Sequence, residues 1–227
     1  MSGTSLFAGT FFGRVYRSTN NGANWIQDDT RLTASYVNAL TVSGTSLFAG
    51  TYGDGVLRST NIGGFWMVVN TGLTNPYVRA LTVSGTSLFA GTEGGGVYRS
   101  TDNGANWVNT GLIGRDVLAL TVSGTSLFAG TSSSGVFRST DNGANWIQVN
   151  IGLPNASVNA LIVGGTSLFA GTSGSGVYRL TNNGSSWTLV SSGLTNLDIL
   201  SFVVSGTKLF AGTGGGGVFV ADLTGLP

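Results

Sequence analysis

The nine residues SGTSLFAGT, which stand at Ser84–Thr92, decide the architecture because the chain repeats them. The same block occurs at Ser2–Thr10, Ser43–Thr51 and Ser123–Thr131, and variants follow at Gly164–Thr172 and Ser205–Thr213. The first glycine of each block falls at positions 3, 44, 85, 124, 165 and 206, so the steps are 41, 41, 39, 41 and 41 residues. A period near 40 residues predicts a repeat architecture, in which each unit is one small structural element.

One unit is interpreted as four short strands joined by tight turns. Alternation and β-branched residues predict strand A at Val78–Val83, strand B at Ser87–Thr92, strand C at Val97–Thr101 and strand D at Trp107–Thr110. No window shows sustained helical periodicity with caps. Four strands in about 40 residues predict an all-β fold, a β-propeller of four-stranded antiparallel blades. We expect a single domain, 1–227, with units at 1–36, 37–77, 78–116, 117–157, 158–197 and 198–227.

The first and last units each lack one strand. The chain starts at strand B, with Ser5–Thr10, and its last strand C is near Gly217–Asp222. Six blade positions leave no strand-forming segment unpaired and are preferred for that reason. A five-bladed ring, in which Leu200–Val204 supplies strand A to the first unit, would leave Lys208–Asp222 as a spare terminal hairpin. Self-association by blade exchange between chains is the third solution.

The composition excludes several classes of chemistry. The chain has 38 glycines, 8% charged residues, no Cys and no His. It therefore has no Cys or His nucleophile pair and no Cys/His zinc site, and we predict neither a metal nor a cofactor. A net charge of +1 is too small for a nucleic-acid partner, and no apolar run is long enough for a membrane span. The start lacks a signal-peptide pattern. We attribute the glycine excess to tight turns.

The connection between strands C and D carries a recurrent motif. It is STDNGANW at Ser100–Trp107 and at Ser139–Trp146, with related forms at Ser18–Trp25, Ser59–Trp66 and Leu180–Trp187. The Asp or Asn can accept backbone N–H bonds, the Gly can take positive φ, and the Trp can pack between sheets. We assign a structural role to these residues: Asn20, Gly22, Trp25, Asn61, Gly63, Trp66, Asp102, Gly104, Trp107, Asp141, Gly143, Trp146, Asn182, Gly184 and Trp187.

Five such turns in register, over nearly the whole chain, resemble the Asp-box or BNR-like repeat propellers. That group includes sialidases, sortilin-type receptors, xyloglucan-cleaving enzymes and a photosystem II assembly factor. The chain also resembles the repeat arrays of secreted bacterial surface proteins, which end in a GGGV-type strand as Gly214–Val218 does. The resemblance implies a propeller fold and an extracellular or cell-surface location.

The residues do not favour an enzyme. A sialidase-like site would need converging arginines, but one repeat position holds all five strand C arginines, Arg17, Arg58, Arg99, Arg138 and Arg179. We expect these arginines to bind backbone or turn groups instead. Glycoside hydrolysis would also need paired carboxylates, and the single Glu, Glu93, stands in a Gly-rich connection with no evident partner. We therefore expect no catalytic residues.

The units differ from one another mainly in the B–C and D–A connections, which share one face of an up-and-down blade. Loops on a rigid scaffold are the usual carriers of recognition. The candidate ligand-binding residues in or beside these connections are Phe11, Phe12, Tyr36, Tyr52, Asp54, Tyr77, Arg79, Glu93, Arg115 and Asp116.

The leading hypothesis is a non-catalytic binding or scaffold module, with lectin-like recognition of carbohydrate through the variable loops. A protein–protein interaction module is the competing hypothesis, and a glycoside hydrolase is the third. Four identical nine-residue blocks also fit a designed or recently amplified repeat protein with no selected ligand.

Overall fold

The computed structural model describes residues 5–27, 36–181 and 186–225. Within those residues the chain is built of strands and turns, apart from one short 3-10 helix at Leu223–Gly225. No helix in this part of the chain is long and apolar enough to cross a membrane. The chain divides into two compact units, Met1–Gly114 and Arg115–Pro227.

The first compact unit contains three antiparallel sheets in its described residues, and each sheet adds its strands in chain order. The first sheet has three strands and the other two have four. The strands are β1 (Leu6–Gly9), β2 (Val15–Ser18), β3 (Ile26–Gln27), β4 (Val37–Ser43), β5 (Ser46–Thr51), β6 (Val56–Ser59), β7 (Met67–Val68), β8 (Val78–Ser84), β9 (Ser87–Thr92), β10 (Gly96–Ser100) and β11 (Val108–Gly111).

The second compact unit contains three further antiparallel sheets among its described residues, two of four strands and a last one of three. The strands are β12 (Val117–Ser123), β13 (Ser126–Thr131), β14 (Val136–Ser139), β15 (Ile147–Gln148), β16 (Val158–Gly164), β17 (Ser167–Thr172), β18 (Gly176–Thr181), β19 (Thr188–Leu189), β20 (Ile199–Ser205), β21 (Lys208–Thr213) and β22 (Gly217–Asp222).

These sheets confirm the prediction of an all-β propeller with six blades, as far as the described residues reach. The five-bladed alternative is wrong, because β20 does not supply strand A to the first unit. It pairs with β21 in its own sheet, from Ile199 opposite Thr213 to Ser205 opposite Lys208. The two residues Gly206 and Thr207 close that hairpin, so local pairing costs little loop entropy.

The SLFAGT segment forms the central part of the core. All six of its residues are buried in β5, β9, β13 and β17. Side chains alternate along a strand, so Leu and Phe face opposite sides of the sheet. Phe48 of the second blade packs on Val78 and Leu81 of the third, and Leu88 of the third blade belongs to the same cluster. Within each compact unit, a blade thus presents Phe to its successor and Leu to its predecessor.

Packing between blades requires the glycine of SLFAGT. This glycine lies in a strand, so the need for tight turns does not explain it. A Cβ added to Gly50 would lie 2.6 Å from Cγ1 of Val78, on the first strand of the next blade. The equivalent distances are 2.7 Å from Gly130 to Val158 and 2.5 Å from Gly171 to Cγ2 of Ile199. These distances are too short for real carbon contacts, so part of the glycine excess reflects close approach between blades.

The C–D turn is closed by side-chain hydrogen bonds. In the third blade, the Ser100 hydroxyl donates to Oδ1 of Asp102 at 2.8 Å and accepts from the backbone N–H of Gly104 at 2.9 Å. The backbone N–H and the side-chain amide of Asn106 each donate to the Asp102 carboxylate at 2.8 Å. Gly104 has φ +86, which L side chains rarely adopt. In the second blade, Asn61 accepts the same backbone bond, from Phe65 at 2.9 Å.

Three of the turn tryptophans are buried between sheets. Trp66, Trp107 and Trp187 are 4%, 3% and 4% exposed. The indole N–H of Trp107 donates to the carbonyl oxygen of Val69 at 2.7 Å, and that of Trp187 donates to Val149 at 2.6 Å. Each of these tryptophans therefore joins its own blade to the preceding one.

The remaining turn residues differ from this arrangement or lie outside it. Trp25 is 43% exposed. Trp146 is half-buried. Asn182 and Gly184, the turn residues of the fifth blade, lie outside the described residues.

The acidic turns predict a pH-dependent contribution to stability. Hydrogen bonds, first from the Asn106 side chain, lower the pKa of Asp102 from 3.8 to about 2. Hydrogen bonds, first from the backbone N–H of Asn145, lower the pKa of Asp141 from 3.8 to about 2. Because the folded pKa values lie below the ordinary one, this contribution is present above about pH 4 and disappears as the pH falls toward 2.

Urea unfolding of the wild type and of an Asp102→Asn, Asp141→Asn double variant would measure that contribution. The difference between their free energies of unfolding is expected to shift against the wild type as the pH is lowered from about 4 to about 2. Asn20 and Asn61 close the same turn in two other blades, so the double variant should fold. A difference that stayed constant over this range would contradict the assignment.

Candidate functional site

Two variable positions of each unit, the residue before strand A and the residue after strand B, lie side by side at one end of the sheet. The backbone N–H of Tyr52 donates to the carbonyl oxygen of Tyr36 at 3.1 Å, and that of Glu93 donates to Tyr77 at 2.9 Å. An isolated β-bridge between Tyr52 and Tyr77 links the second blade to the third. Within the first compact unit, the variable positions therefore follow one another in an unbroken series.

Aromatic side chains fill this series, and we call them the aromatic row: Phe11, Phe12, Tyr36, Tyr52 and Tyr77. The ring centroids of Phe11 and Tyr36 are 4.0 Å apart, with an interplanar angle of 33°. The next two separations are 5.8 Å for Tyr36 to Tyr52 and 4.8 Å for Tyr52 to Tyr77. Phe12 makes an edge contact with Phe11 at 5.8 Å. These distances are typical of favourable aromatic pairs.

The row is exposed at both ends and partly covered in the middle. Phe11, Phe12 and Tyr77 are 67%, 81% and 41% exposed, whereas Tyr36 and Tyr52 are half-buried. A contiguous exposed apolar surface on a folded chain usually marks an interaction site. The half-buried tyrosines fix the row to the sheets, and its end residues offer aromatic surface to a ligand.

Arg79 reaches the row because strand A contains a bulge. The register of β8 against β9 shifts between Val78 and Ala80, so Arg79 has no direct partner in the ladder. Bulges redirect side chains. The guanidinium carbon of Arg79 lies 5.0 Å from the centroid of Tyr52, which is within cation–π range.

Glu93 has a partner, Arg79, although the sequence alone shows none for it. Its Oε2 accepts from Nε of Arg79 at 2.9 Å and from Nη2 at 2.5 Å. The two side chains are 38% and 36% exposed, so the ion pair adds little to stability. Its effect is geometric, because it holds the guanidinium against Tyr52 and neutralises the charge at that end of the row. Sequence spacing could not show the pair, since the bulge at Arg79 creates it.

Asp54 lies in the β5–β6 connection that follows Tyr52. Its carbonyl oxygen accepts from the side-chain amide of Asn70 at 2.8 Å, and the residue is half-exposed. Asp54 is thus close to the aromatic row in sequence. Among the described residues, no contact is seen between its side chain and the row.

Arg115 and Asp116 belong to the second compact unit. The guanidinium of Arg115 lies 4.9 Å from the centroid of Phe137 and donates to the Ser134 hydroxyl. Oδ2 of Asp116 accepts from the Ser132 hydroxyl at 3.0 Å. Asp116 and Ser132 occupy the repeat positions of Tyr77 and Glu93 in the third blade.

The same positions continue through the second unit as a polar series. The Ser157 hydroxyl donates to the carbonyl oxygen of Ser132 at 2.5 Å, and the Ser173 hydroxyl donates to Oδ1 of Asp198 at 2.9 Å. Our sequence interpretation did not select Ser132, Ser157 or Ser173 as candidate residues. The signal that could have identified these serines is their repeat position. They stand at the same variable positions as Tyr36 and Tyr52, and they differ from those tyrosines as much as the charged candidates do.

Two of the strand C arginines donate hydrogen bonds to nearby groups. Nη1 of Arg58 donates to the carbonyl oxygen of Asn103 at 3.1 Å, in the C–D turn of the next blade. Nε of Arg138 donates to the Ser126 hydroxyl at 3.0 Å. The described part of the chain contains no group of three acidic, His or Cys side chains that could hold a metal ion.

Comparisons with known proteins match the fold alone. No protein-family profile and no curated protein sequence matches the chain. Among solved structures, the extracellular domain of BT4673 from B. thetaiotaomicron is similar at 19% identity with a TM-score of 0.80, over 97% of this chain and 31% of that one. The GH74 xyloglucanase from Xanthomonas campestris is similar at 16% identity with a TM-score of 0.76, over 98% and 44%.

A third similar structure is YCF48 bound to D1 peptide, at 17% identity with a TM-score of 0.74, over 96% of this chain and 75% of that one. The chain thus spans about a third of the BT4673 domain and under half of the xyloglucanase. The similar proteins are β-propellers and include both enzymes and non-enzymatic domains, so they support the propeller scaffold and no particular ligand.

The aromatic row predicts unequal costs for truncating its members. Tyr52 contacts Tyr36, Tyr77 and Arg79, so Tyr52→Ala is expected to lower the free energy of unfolding by about 1–3 kcal/mol. Phe12 makes a single edge contact, so Phe12→Ala is expected to cost no more than about 0.5 kcal/mol. Urea denaturation measures both values, and equal losses would argue that the row does not pack in solution.

Proposed function

We propose that the chain is a non-catalytic binding module whose aromatic row contacts carbohydrate. The observation that carries the proposal is the continuous contact of Phe11, Tyr36, Tyr52 and Tyr77, at centroid separations from 4.0 to 5.8 Å, with exposed rings at the ends. A binding site of this kind combines apolar and aromatic surface with a few polar groups that orient the ligand.

The chemistry of the row suits a sugar. The C–H face of a pyranose is apolar and stacks on aromatic faces, while its hydroxyl groups need donors and acceptors at the edge. Tyr77 offers both a ring and a hydroxyl, and Arg79 and Glu93 stand beside Tyr52 and Tyr77 with opposite charges. Because those charges neutralise each other, the row favours a neutral glycan over a strongly acidic one.

The acidic residues at the row support binding without catalysis. Glycoside hydrolysis by the usual mechanisms needs two carboxylates on either side of the scissile bond. Glu93, the single Glu of the sequence, accepts two hydrogen bonds from Arg79, and among the described residues of the connections beside the row Asp54 is the other acidic one.

Recognition of a protein is the second candidate function. Tyr, Phe and Arg are enriched in protein interfaces, and the row is composed of these residue types. YCF48, which is similar in fold, forms a complex with D1 peptide. A peptide that lays apolar side chains across Phe11, Phe12 and Tyr77 would use the same surface.

Action outside the cell is part of the proposal, because the BT4673 and BT3049 structures that the chain resembles are extracellular domains. Protease treatment of intact source cells checks this location: the chain should be degraded while a cytoplasmic marker survives. Survival of the chain together with the marker would contradict an exposed location.

A glycan array with the fluorescently labelled chain tests carbohydrate binding. We expect a neutral glycan to bind, and its affinity to fall at least about tenfold in Tyr77→Ala, because one stacking face is lost. Phe12→Ala should weaken binding as well. Both residues are exposed enough for their truncation to leave the fold intact.

Val108→Ala is the matched control. Val108 is 67% exposed in the same compact unit, but it lies on β11 and is not a member of the aromatic row. It should bind the glycan as the wild type does. An array on which no glycan binds, or an equal loss of glycan affinity in Val108→Ala, would contradict the carbohydrate proposal. Selection of peptides whose binding depends on Tyr77 would then favour protein recognition.

A further inference from the structure

Three of the described C–D turns contain an Asn–Gly pair, the dipeptide in which asparagine loses its side-chain amide most readily. The pairs are Asn21–Gly22, Asn103–Gly104 and Asn142–Gly143. Glycine has no side chain to shield its backbone nitrogen, so that nitrogen can reach the side-chain carbonyl carbon of the preceding asparagine. Each of these turns therefore carries a reactive site in its own backbone.

The reaction needs water and no other reagent. Hydroxide removes the proton from the glycine nitrogen, and the nitrogen attacks Cγ of the asparagine. The bond from Cγ to the side-chain nitrogen breaks, and that nitrogen takes a proton from water and leaves as ammonia. Water then opens the cyclic imide at one of its two carbonyl carbons, which gives aspartate or isoaspartate. The sum is an amide and water converted to a carboxylate and ammonium, with no change of oxidation state.

The glycine is buried in two of these pairs, whereas the asparagine before it is exposed. Asn103 and Asn142 are open to solvent and have φ +60 and +57. Gly104 and Gly143, which follow them, are buried. Water therefore reaches the side-chain amide that would leave, but hydroxide has poor access to the nitrogen at which the reaction begins.

A serine hydroxyl binds each of these glycine nitrogens. The backbone N–H of Gly104 donates to Oγ of Ser100 at 2.9 Å, and that of Gly143 donates to Oγ of Ser139 at 2.8 Å. Both serines are 1% exposed. Deprotonation of the nitrogen would break this hydrogen bond and leave the hydroxyl without its donor in a buried place, so the bond disfavours the first step of the reaction.

The hydroxyl is itself held in the accepting orientation. Ser100 donates its proton to Oδ1 of Asp102 at 2.8 Å, and Ser139 donates to Oδ1 of Asp141 at the same distance. The oxygen lone pairs are therefore left for the glycine N–H. The carboxylate adds a second obstacle, because a negative charge near the glycine nitrogen disfavours formation of the amide anion.

Deamidation would damage a contact between blades as well as the turn. The carbonyl oxygen of Asn103 accepts from Nη1 of Arg58 at 3.1 Å, and its Nδ2 donates to Oγ of Ser46 at 3.4 Å, both in the second blade. The reaction would replace the Nδ2 donor with a carboxylate oxygen and place a second negative charge beside Asp102. Isoaspartate would also lengthen the main chain of the turn by one carbon.

We propose that Asn103 and Asn142 are latent deamidation sites, and that Ser100 and Ser139 suppress the reaction by holding the backbone N–H of the glycine that follows. The serine thus closes the turn and also protects the covalent chain. In the folded protein the reaction proceeds through the small fraction of molecules in which the turn is open, so its rate reports that opening.

Peptide mapping by mass spectrometry, after incubation at mildly alkaline pH, measures deamidation at each asparagine separately. In the folded wild type, Asn103 and Asn142 should react at least about tenfold more slowly than in the same chain unfolded by urea. This comparison needs no variant, so it tests the protection even if a substitution prevents folding. Equal rates in the folded and the unfolded chain would overturn the proposal.

The two serine variants locate the protection. Ser100→Ala should accelerate deamidation of Asn103 at least about fivefold and leave Asn142 at the wild-type rate, and Ser139→Ala should do the reverse. Ser100→Thr, which keeps a hydroxyl, should retain most of the protection. The unaffected asparagine in each variant is an internal standard for general unfolding. Equal acceleration of both asparagines in a folded Ser100→Ala chain would contradict the role of the serine.

Ser59→Ala is the matched control. Ser59 accepts from the backbone N–H of Gly63 at 2.9 Å in the second blade, but Ile62 precedes that glycine and has no side-chain amide to lose. This variant loses the same hydrogen bond and should leave Asn142 at the wild-type rate. Acceleration at Asn142 as large as in Ser139→Ala would show that any loosened turn exposes the site, and would overturn the proposal.

Discussion

The packing of one phenylalanine against the next blade is the interaction on which the rest of the structure depends. Phe48 and Phe128 are fully buried, each in a cluster that includes the first strand of the following blade. That contact sets the distance between neighbouring sheets, which is why Gly50 and Gly130 tolerate no Cβ. The turn tryptophans Trp107 and Trp187 then close the outer part of the same interface.

This constraint explains why the positions that are identical in the repeat units and those that differ separate along the chain. SLFAGT is buried on both faces of its strand, so nearly any change there would create a cavity or a clash. The residue after strand B and the residue before strand A lie beyond the packed interface. They can be Tyr52 and Tyr36 in one blade and Ser132 and Asp116 in another without affecting the core.

The period and the alternation of SLFAGT predicted the blades, and strand B at Ser87–Thr92 coincides with β9. The sequence was less informative where geometry depends on a register shift. Arg79 meets Glu93 and Tyr52 because a bulge removes it from the ladder, and no spacing rule reveals that bulge. The glycines were also misjudged in part, since turn chemistry accounts for Gly104 but close packing accounts for Gly50. The candidate aromatics were predicted one by one, whereas their contact needed the fold.

The bulge at the start of strand A has a consequence for how such a chain diversifies. Register shifts occur at the same place in β4, β8, β12, β16 and β20, so five of the six described sheets each have one residue that is not paired in the ladder. Asn38 and Asn159 use that freedom to bind a neighbouring carbonyl oxygen, and Arg79 uses it to approach Tyr52. After duplication of an identical unit, each copy therefore inherits a position where mutation alters recognition before it alters folding, and the blades can specialise one at a time.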